Sequence, residues 1–536
     1  MNEVTKDNFE NIYTQLKNAL ENATIIAIDS EFTGLQSDDI SKSSLFDTIE
    51  ERYAKIRRTT DPFIIIQFGI SAFQRIPDEN KYTAQIFNFY VLPASIPTKD
   101  KQFLWQVSAI EFLSAYNFDF NKVAYYGISY VDEIEEAMLQ QQLKENKLYD
   151  NVENCMSFKD EDDIRDFSNG VSEWLKSSEK NEIYNIRTTS PNLRYLLQKI
   201  LRSRFPTIWT ISSKEMVTVI KLSEDIRKML ETEEGPNLEY TLLDSYIGFS
   251  KIFKLLVQLK KPIIGHNILL DLIFMHKLFY KPLPRNYNEF KTNIHNLFPV
   301  IYDTKYLSHR LRSYFDEEMW TLSSLSNVYH YFTKGKGNHL ILNPPFIEVI
   351  NNNKNADLGQ IHNAGYDSYL TGHIFLKMAH IFAVKKYGSG MEYRILTNTE
   401  VMNAVKDYVN CINLSRASIL YLKLDGSDPK SERPKWLFVK TLKPSNFDIH
   451  QISKKLSSFG AVDVKSFTRG RAVVAVSNHG SASDILKHFR HNKELYVTTY
   501  SPIRHSPSMK YLFIGSMLLS GGMLAWVLHR SVQKPM

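Results

Sequence analysis

The sequence predicts a mixed α/β core split by an α/β insertion, followed by a smaller α+β domain and one C-terminal transmembrane helix. Three observations predict it. Apolar, β-branched runs within the first four hundred residues lead repeatedly into acidic residues and helical stretches. A polar, loop-rich stretch from Lys122 to Glu239 separates the first such run from the later ones. Strand and helix patterns then alternate from Pro434 to Tyr500, ahead of an uncharged run close to the C-terminus. A chain of 536 residues is too long for one hydrophobic core, and the pattern divides it into 1–121 and 240–400 (the two parts of the core), 122–239 (the insertion), 405–503 (the α+β domain) and 511–528 (the span).

Composition narrows the class. With 43% hydrophobic and 23% charged residues the chain is ordinary globular protein. Its N-terminus, MNEVTKDNFENIY, carries acids and no apolar run, which argues against a secretory signal or an Arg-rich transit peptide. Cys155 and Cys411 are the only cysteines, so a disulfide scaffold and a cysteine-ligated zinc site are excluded. The net charge of +6 permits an anionic partner without requiring one.

The first strand is TIIAIDSEFTGL, Thr24 to Leu35. Alternate strand residues share a face, so Asp29 and Glu31 point the same way at the end of a buried strand. Two carboxylates on one face repel unless a cation lies between them. A pair of divalent ions meets that need, because carboxylate oxygens bind hard cations and the ions activate water and stabilise a leaving oxygen. Phe32 follows directly and offers a ring on which a terminal base could stack.

Beyond the insertion, KPIIGHNILLDLIF from Lys261 to Phe274 reads as a short strand ending in Gly265, His266 and Asn267, with a helix that carries Asp271 in its first turns. A carboxylate inside LLDLIF is costly to bury without a partner, which points to a ligand role; His266 and Asn267 are candidate substrate contacts. Asp303 in FPVIYDTKYL also ends an apolar strand and reads as a helix-capping or supporting residue, with Asp271 preferred to it as ligand. In HNAGYDSYLTGHIF, His362 and Asp367 stand five apart ahead of an apolar helix, a spacing that leaves both within reach of one centre.

The C-terminal third gives KWLFVKTL, DIHQISKKLSSFG, VDVKSFT, RAVVAVSN, SASDILKHFR and ELYVTTY, in the order of an RNA-recognition fold. Phe438 occupies a stacking position on its first strand, but Arg471 and Val473, after Arg469, stand where rings are expected on the third. Tyr511 to Leu528 carries no charge and at about 1.5 Å per helical residue reaches roughly 27 Å, enough for a tail anchor that leaves the rest in the cytosol. Ser516, Ser520, Gly521 and Gly522 make it only moderately apolar, and with bases on both sides it suits the mitochondrial outer membrane better than the endoplasmic reticulum.

Taken together, Asp-x-Glu on a first strand, Gly-His-Asn-x-x-x-Asp at a later strand-helix junction and His-x-x-x-x-Asp on a late helix resemble the DEDD superfamily of 3′-to-5′ exonucleases in its histidine-using subtype, whose core is RNase H-like. AIDSEFTGL, FIIIQFGIS, PLPRNYNEFK and HNAGYDSYLTG narrow the resemblance to the poly(A)-specific ribonuclease family, and the C-terminal span to its membrane-anchored branch, which trims precursor piRNAs. The resemblance implies that Asp29, Glu31, Asp271 and Asp367 hold two Mg2+ ions, with Mn2+ as a substitute, and that His362 is the general base. It further implies single-stranded RNA 3′ ends as substrate, presented by a PIWI-clade Argonaute protein, a Tudor-domain mitochondrial scaffold as partner, and a membrane surface. In that family the insertion is a single-strand-binding domain with an Arg-x-x-x-His signature; here Arg194 is followed four residues later by Gln198, so RNA binding by the insertion is not expected to follow the family.

Overall fold

The computed structural model describes every residue except 37–42, 97–98, 146, 155, 180–181, 189, 214, 235–236, 313–321, 323, 342, 351–359, 388–393, 443–447, 469 and 533–536. Cys155 and Arg469 therefore lie outside the described residues. The chain forms two compact units: Met1–Asp39, Ile56–Asn413 and Lys423–Ser427 make the first, and Ile40–Lys55, Leu414–Leu422 and Asp428–Met536 the second.

The first unit is built on one mixed sheet. Its elements run β1 (Asn2–Val4), α1 (Phe9–Asn22), β2 (Ile25–Phe32), α2 (Ile49–Thr59, which begins in the second unit), β3 (Ile65–Arg75), β4 (Lys81–Tyr90) and α3 (Val107–Ala115). The insertion contributes β5 (Ile183–Arg187), α4 (Pro191–Arg204), β6 (Ile208–Ser212) and β7 (Met216–Lys221). The core resumes with β8 (Ile263–Gly265), α5 (Leu269–Met275), β9 (Ile301–Asp303), α6 (Thr304–Leu311), β10 (Phe346–Val349) and α7 (Ala364–Tyr387). The strand order is β1-β4-β3-β2-β8-β9, with β10 also on β4. β2, β3 and β4 are antiparallel neighbours, while β8 and β9 run parallel to β2. This is the mixed sheet expected of the core: a three-strand meander continued by parallel strands reached through helices.

Helix α7 organises the unit. Nearly every residue from Ala364 to Ala383 is buried, so it runs through the interior between the sheet and its neighbouring helices. It lies on the sheet because glycines remove the side chains that would hold it away. A Cβ on Gly69 of β3 would stand 1.8 Å from the Ala364 carbonyl oxygen, and one on Gly372 would stand 2.1 Å from the Phe73 ring. Rings fill the rest of the seam: Phe73 stacks on Tyr369 at 6.1 Å and Tyr302 meets Phe375 at 4.9 Å.

The insertion carries its own antiparallel sheet, ordered β5-β7-β6, against which α4 buries Leu193, Leu196, Leu197 and Leu201. The basic residues of α4 are engaged within the chain. Lys199 pairs with Glu239, Arg194 donates to the Thr188 carbonyl at 3.2 Å, and Arg202 lies 3.6 Å over the Trp209 ring while donating to Thr210.

In the second unit β11 (Leu437–Thr441), α8 (Ile449–Ser457), β12 (Val462–Thr468), β13 (Arg471–Val476), α9 (His479–His488) and β14 (Leu495–Thr499) form the predicted β-α-β-β-α-β pattern, with sheet order β12-β13-β11-β14. Phe438 is 4% exposed, and the His505 ring stacks on it at 4.2 Å and 16°. The ring that would receive a base is therefore covered from within the unit.

Helix α10 (Pro507–Val532) contains the uncharged run. Among the described residues no helix is long and apolar enough to cross a membrane, so the expected transmembrane helix is not supported. The side chains of Phe513 and of residues 527–532 lie outside those described. Its apolar side chains are nonetheless open, including Leu512, Leu518, Leu519 and Leu524.

Gly69→Ala is expected to force α7 off β3 and to cost about 1–3 kcal/mol, read as a lower urea midpoint for the first unit. An unchanged midpoint would show that the helix can shift without loss.

Candidate active site

Strand β2 delivers Asp29 and Glu31 to one face, opposite Gly69 and Gln67 of β3. The register shifts between Glu31 and Phe32, a bulge that turns the chain away just past the second acid. Because Gly69 has no side chain, the first turn of α7 settles over the same place.

The start of α7 is held by side chains from the sheet. The Ala364 amide donates to Gln67 Oε1 at 2.8 Å and the Gly365 amide to Asn88 Oδ1 at 3.0 Å. Asn363 caps the helix by accepting from the Tyr366 amide at 3.3 Å. Three amides left open by helix geometry are thus satisfied, and Asp367, in the first turn, is fixed in direction. His362 precedes the helix instead of riding on it. Its φ of 65° is left-handed, and its amide donates to Asp367 Oδ2 at 3.0 Å, which brings histidine and acid together through a turn. Asp271 enters from the first turn of α5.

Ligand atoms of Glu31, His362 and Asp367 all lie within 4.8 Å of one another. Asp29 and Asp271 belong to the same electrostatic group. Burial first, then the charges of Asp367 and Asp271, push the Asp29 and Glu31 carboxyls well above the usual carboxylate range. Burial likewise raises Asp271 and Asp367 to about 7. Four acids that resist ionising together form a site made for a cation. The buried Asp367 Oδ1 has no hydrogen-bond partner among the described residues, and the donors are hard carboxylate oxygens, so this set fits divalent metal ions.

The His362 ring packs against Phe112 at 4.6 Å and Tyr116 at 4.1 Å, both from the end of α3. Burial lowers its pKa, which keeps the imidazole neutral and able to accept a proton at neutral pH.

The remaining predicted residues separate by role. Asp303, 1% exposed, accepts from the amides of Asn267 (2.9 Å), Ile268 (3.3 Å), Lys305 (2.9 Å) and Asn413 (2.9 Å). It is the cap and anchor of the β8 and β9 ends. His266 donates from Nδ1 to Thr304 Oγ1 at 2.9 Å, since that hydroxyl is itself directed to the Gly265 carbonyl at 3.1 Å, and burial lowers its pKa to about 3. Asn267 has a φ of 58°, and its side-chain carbonyl accepts from Asn413 at 2.8 Å. The Phe32 ring lies against Phe274 at 4.4 Å, so one of its faces is already covered.

Sequence reasoning missed Gln67, Asn88, Phe112 and Tyr116. The first two carried a signal, since a lone amide inside FIIIQFGIS or QIFNFYV must find a partner when buried. The two rings carried a weaker one, their spacing of four on a short helix that leaves both partly exposed.

The family model described as CAF1 family ribonuclease matches residues 4–375. The chain is similar to a silkworm (Bombyx mori) protein named pre-piRNA 3′-exonuclease trimmer, 32% identical over 98% of both chains. It is 31% identical to mouse poly(A)-specific ribonuclease PNLDC1 over 98% of this chain and 99% of the relative. To the Xenopus laevis poly(A)-specific ribonuclease PARN it is 29% identical, over 93% of this chain and 80% of that protein.

Asp271 and Asp367 hold their protons to about pH 7 when folded, against an ordinary value of 3.8. A raised carboxyl pKa stabilises the fold at low pH and loses that contribution as pH rises through the folded value. Metal-stripped protein is therefore expected to melt at a lower temperature at pH 7.5 than at pH 5, and added Mg2+ or Mn2+ to recover more at pH 7.5. Thermal denaturation in chelator and in metal checks this, with Asp367→Asn expected to flatten both the pH slope and the metal response.

Proposed function

The chain belongs to the CAF1 family of ribonucleases and is a 3′-to-5′ exoribonuclease, and from that premise we propose that it trims the 3′ ends of precursor piRNAs held by a PIWI-clade Argonaute protein. The observation that carries this reading is the carboxylate cluster around His362, taken with 32% identity across 98% of a relative named for pre-piRNA trimming. Asp29, Glu31, Asp271 and Asp367 would hold two Mg2+ ions, with Mn2+ as a substitute. When bound, the ions supply an activated water and neutralise charge on the leaving oxygen. His362, braced by Phe112 and Tyr116, takes the proton from the attacking water. Phe32 offers its remaining face to the terminal base, and His266 and Asn267 line the approach.

A second reading, a deadenylase acting on messenger RNA tails, is favoured by the mouse and frog relatives, both named as poly(A)-specific. The two readings share the chemistry and differ in substrate. A Tudor-domain scaffold and attachment to the mitochondrial outer membrane, facing the cytosol, complete the proposal. The exposed apolar side chains of α10 support attachment.

Full-length protein with Mg2+ is expected to shorten 3′-hydroxyl RNA stepwise, to leave 3′-blocked RNA intact, and to stop in chelator. Glu31→Ala should reduce shortening to background and His362→Phe should slow it by about 10²–10⁴-fold. Faster shortening of mixed-sequence RNA in a PIWI complex than of free poly(A) supports trimming; the reverse order would install the deadenylase. Recovery of the protein in mitochondrial membranes, accessible to added protease, is the outcome expected of its location, and recovery in the cytosolic supernatant would remove that part.

A further inference from the structure

Phe32 is the ring proposed above to receive the terminal base, and it stands where its strand ends. Glu31 pairs with Gln67 but Phe32 with Ile65, so the ladder is broken between the second acid and the ring. A ring at a strand end keeps its direction only through what backs it. Two other rings do so. Phe274 of α5 lies against Phe32 at 4.4 Å, and the Phe63 ring lies so close over Gly34 that a Cβ there would stand 2.5 Å from it. Between them Thr33 is buried, its amide donating to the Ile64 carbonyl at 2.9 Å and its hydroxyl accepting from the Ile64 amide at 3.0 Å.

One cation touches both supports. Lys277 lies in the π-helical turn His276–Tyr280 that continues α5, three residues past Phe274 and so on the same side of the helix. Its ammonium stands 4.6 Å over the Phe274 ring. It also donates to the carbonyls of Thr60 at 2.5 Å, Asp61 at 2.9 Å and Phe63 at 2.6 Å. These carbonyls converge because the chain turns there, with the Phe63 amide donating back to the Thr60 carbonyl at 3.1 Å. Carbonyl dipoles aimed at one point repel unless a cation lies among them. Burial lowers the Lys277 ammonium to about 8, the mark of a charge drawn out of water for the sake of its partners. A methionine would fill the same space over Phe274 and leave the three carbonyls without their donor.

We propose that Lys277 is a positioning residue for the RNA end: by gripping the turn at 60–63 and covering Phe274, it fixes the Phe32 ring on which the terminal base stacks. The proposal rests on the exonuclease reading and on stacking at Phe32, and it holds whichever protein presents the RNA. Lys277 stands six residues beyond Asp271, so its loss falls on the base and spares the reacting groups.

The test measures KM and kcat of the full-length protein with Mg2+ on two single-stranded 3′-hydroxyl RNAs, one with an ordinary last nucleotide and one whose last nucleotide is abasic. Lys277→Met is expected to raise KM roughly tenfold on the ordinary end, at near-unchanged kcat, and to match wild type on the abasic end. Lys277→Arg, which keeps charged donors for the turn, should recover most of the loss. Adding Lys277→Met to Phe32→Ala should change KM little further. An equal rise on both ends would overturn the proposal, since a general loosening of the fold does not distinguish a base from its absence. Wild-type KM in Lys277→Met, or a fall in kcat at unchanged KM, would overturn it too. If Lys277→Met does not fold, Lys277→Gln takes its place; a base-dependent rise supports the proposal and wild-type kinetics overturn it. Wild-type protein that shortens both ends with the same KM would remove the stacking premise and the proposal with it, whereas wild-type protein that shortens neither would sink the exonuclease reading itself.

Discussion

The first unit depends on how closely one helix lies on one strand. The Ala364 carbonyl of α7 occupies the space where a side chain on Gly69 would stand, and the helix amides at 364 and 365 are answered by Gln67 and Asn88 from the sheet. These contacts are interdependent. Without the glycine the helix could not descend to the amide side chains, and without those side chains its buried amides would be unpaired, at about 1–3 kcal/mol each. The close approach sets Asp367 above Asp29 and Glu31 and leaves no room for the cluster to spread.

That constraint explains why a costly arrangement persists. Carboxyls pushed well above the usual carboxylate range, Asp271 and Asp367 to about 7, are not there for the stability of the metal-free protein, since burial and mutual repulsion both oppose their ionisation. The packing of α7, with its almost wholly buried length, is strong enough to hold them. His362 is tied to Asp367 through its amide and held further by a left-handed turn and two aromatic rings.

Much of this was legible in the residues. The alternation in TIIAIDSEF placed two acids on one face, and LLDLIF marked a carboxylate that needed a partner; both segments fold as read. The β-α-β-β-α-β order of the C-terminal unit was equally plain, because each element keeps its own period. What escaped was long-range. Nothing local says that α3 supplies rings to His362, that Gln67 and Asn88 cap a helix almost three hundred residues later, or that a segment following β2 packs with the C-terminal sheet. The C-terminal span stays an expectation, since among the described residues no helix is long and apolar enough to cross a membrane.

The distribution of cations bears on how such an enzyme meets its RNA. A site of four acids repels phosphates, and affinity for nucleic acid generally comes from lysines and arginines that replace its counterions. Here Arg194, Lys199 and Arg202 of α4 are engaged within the insertion, Lys277 is spent on backbone carbonyls, and Phe438 of the C-terminal sheet is covered by His505. These groups are thus committed to the protein's own structure. A partner that presented the RNA end, as proposed above, would raise the effective concentration of the 3′ end at the site without adding contacts there.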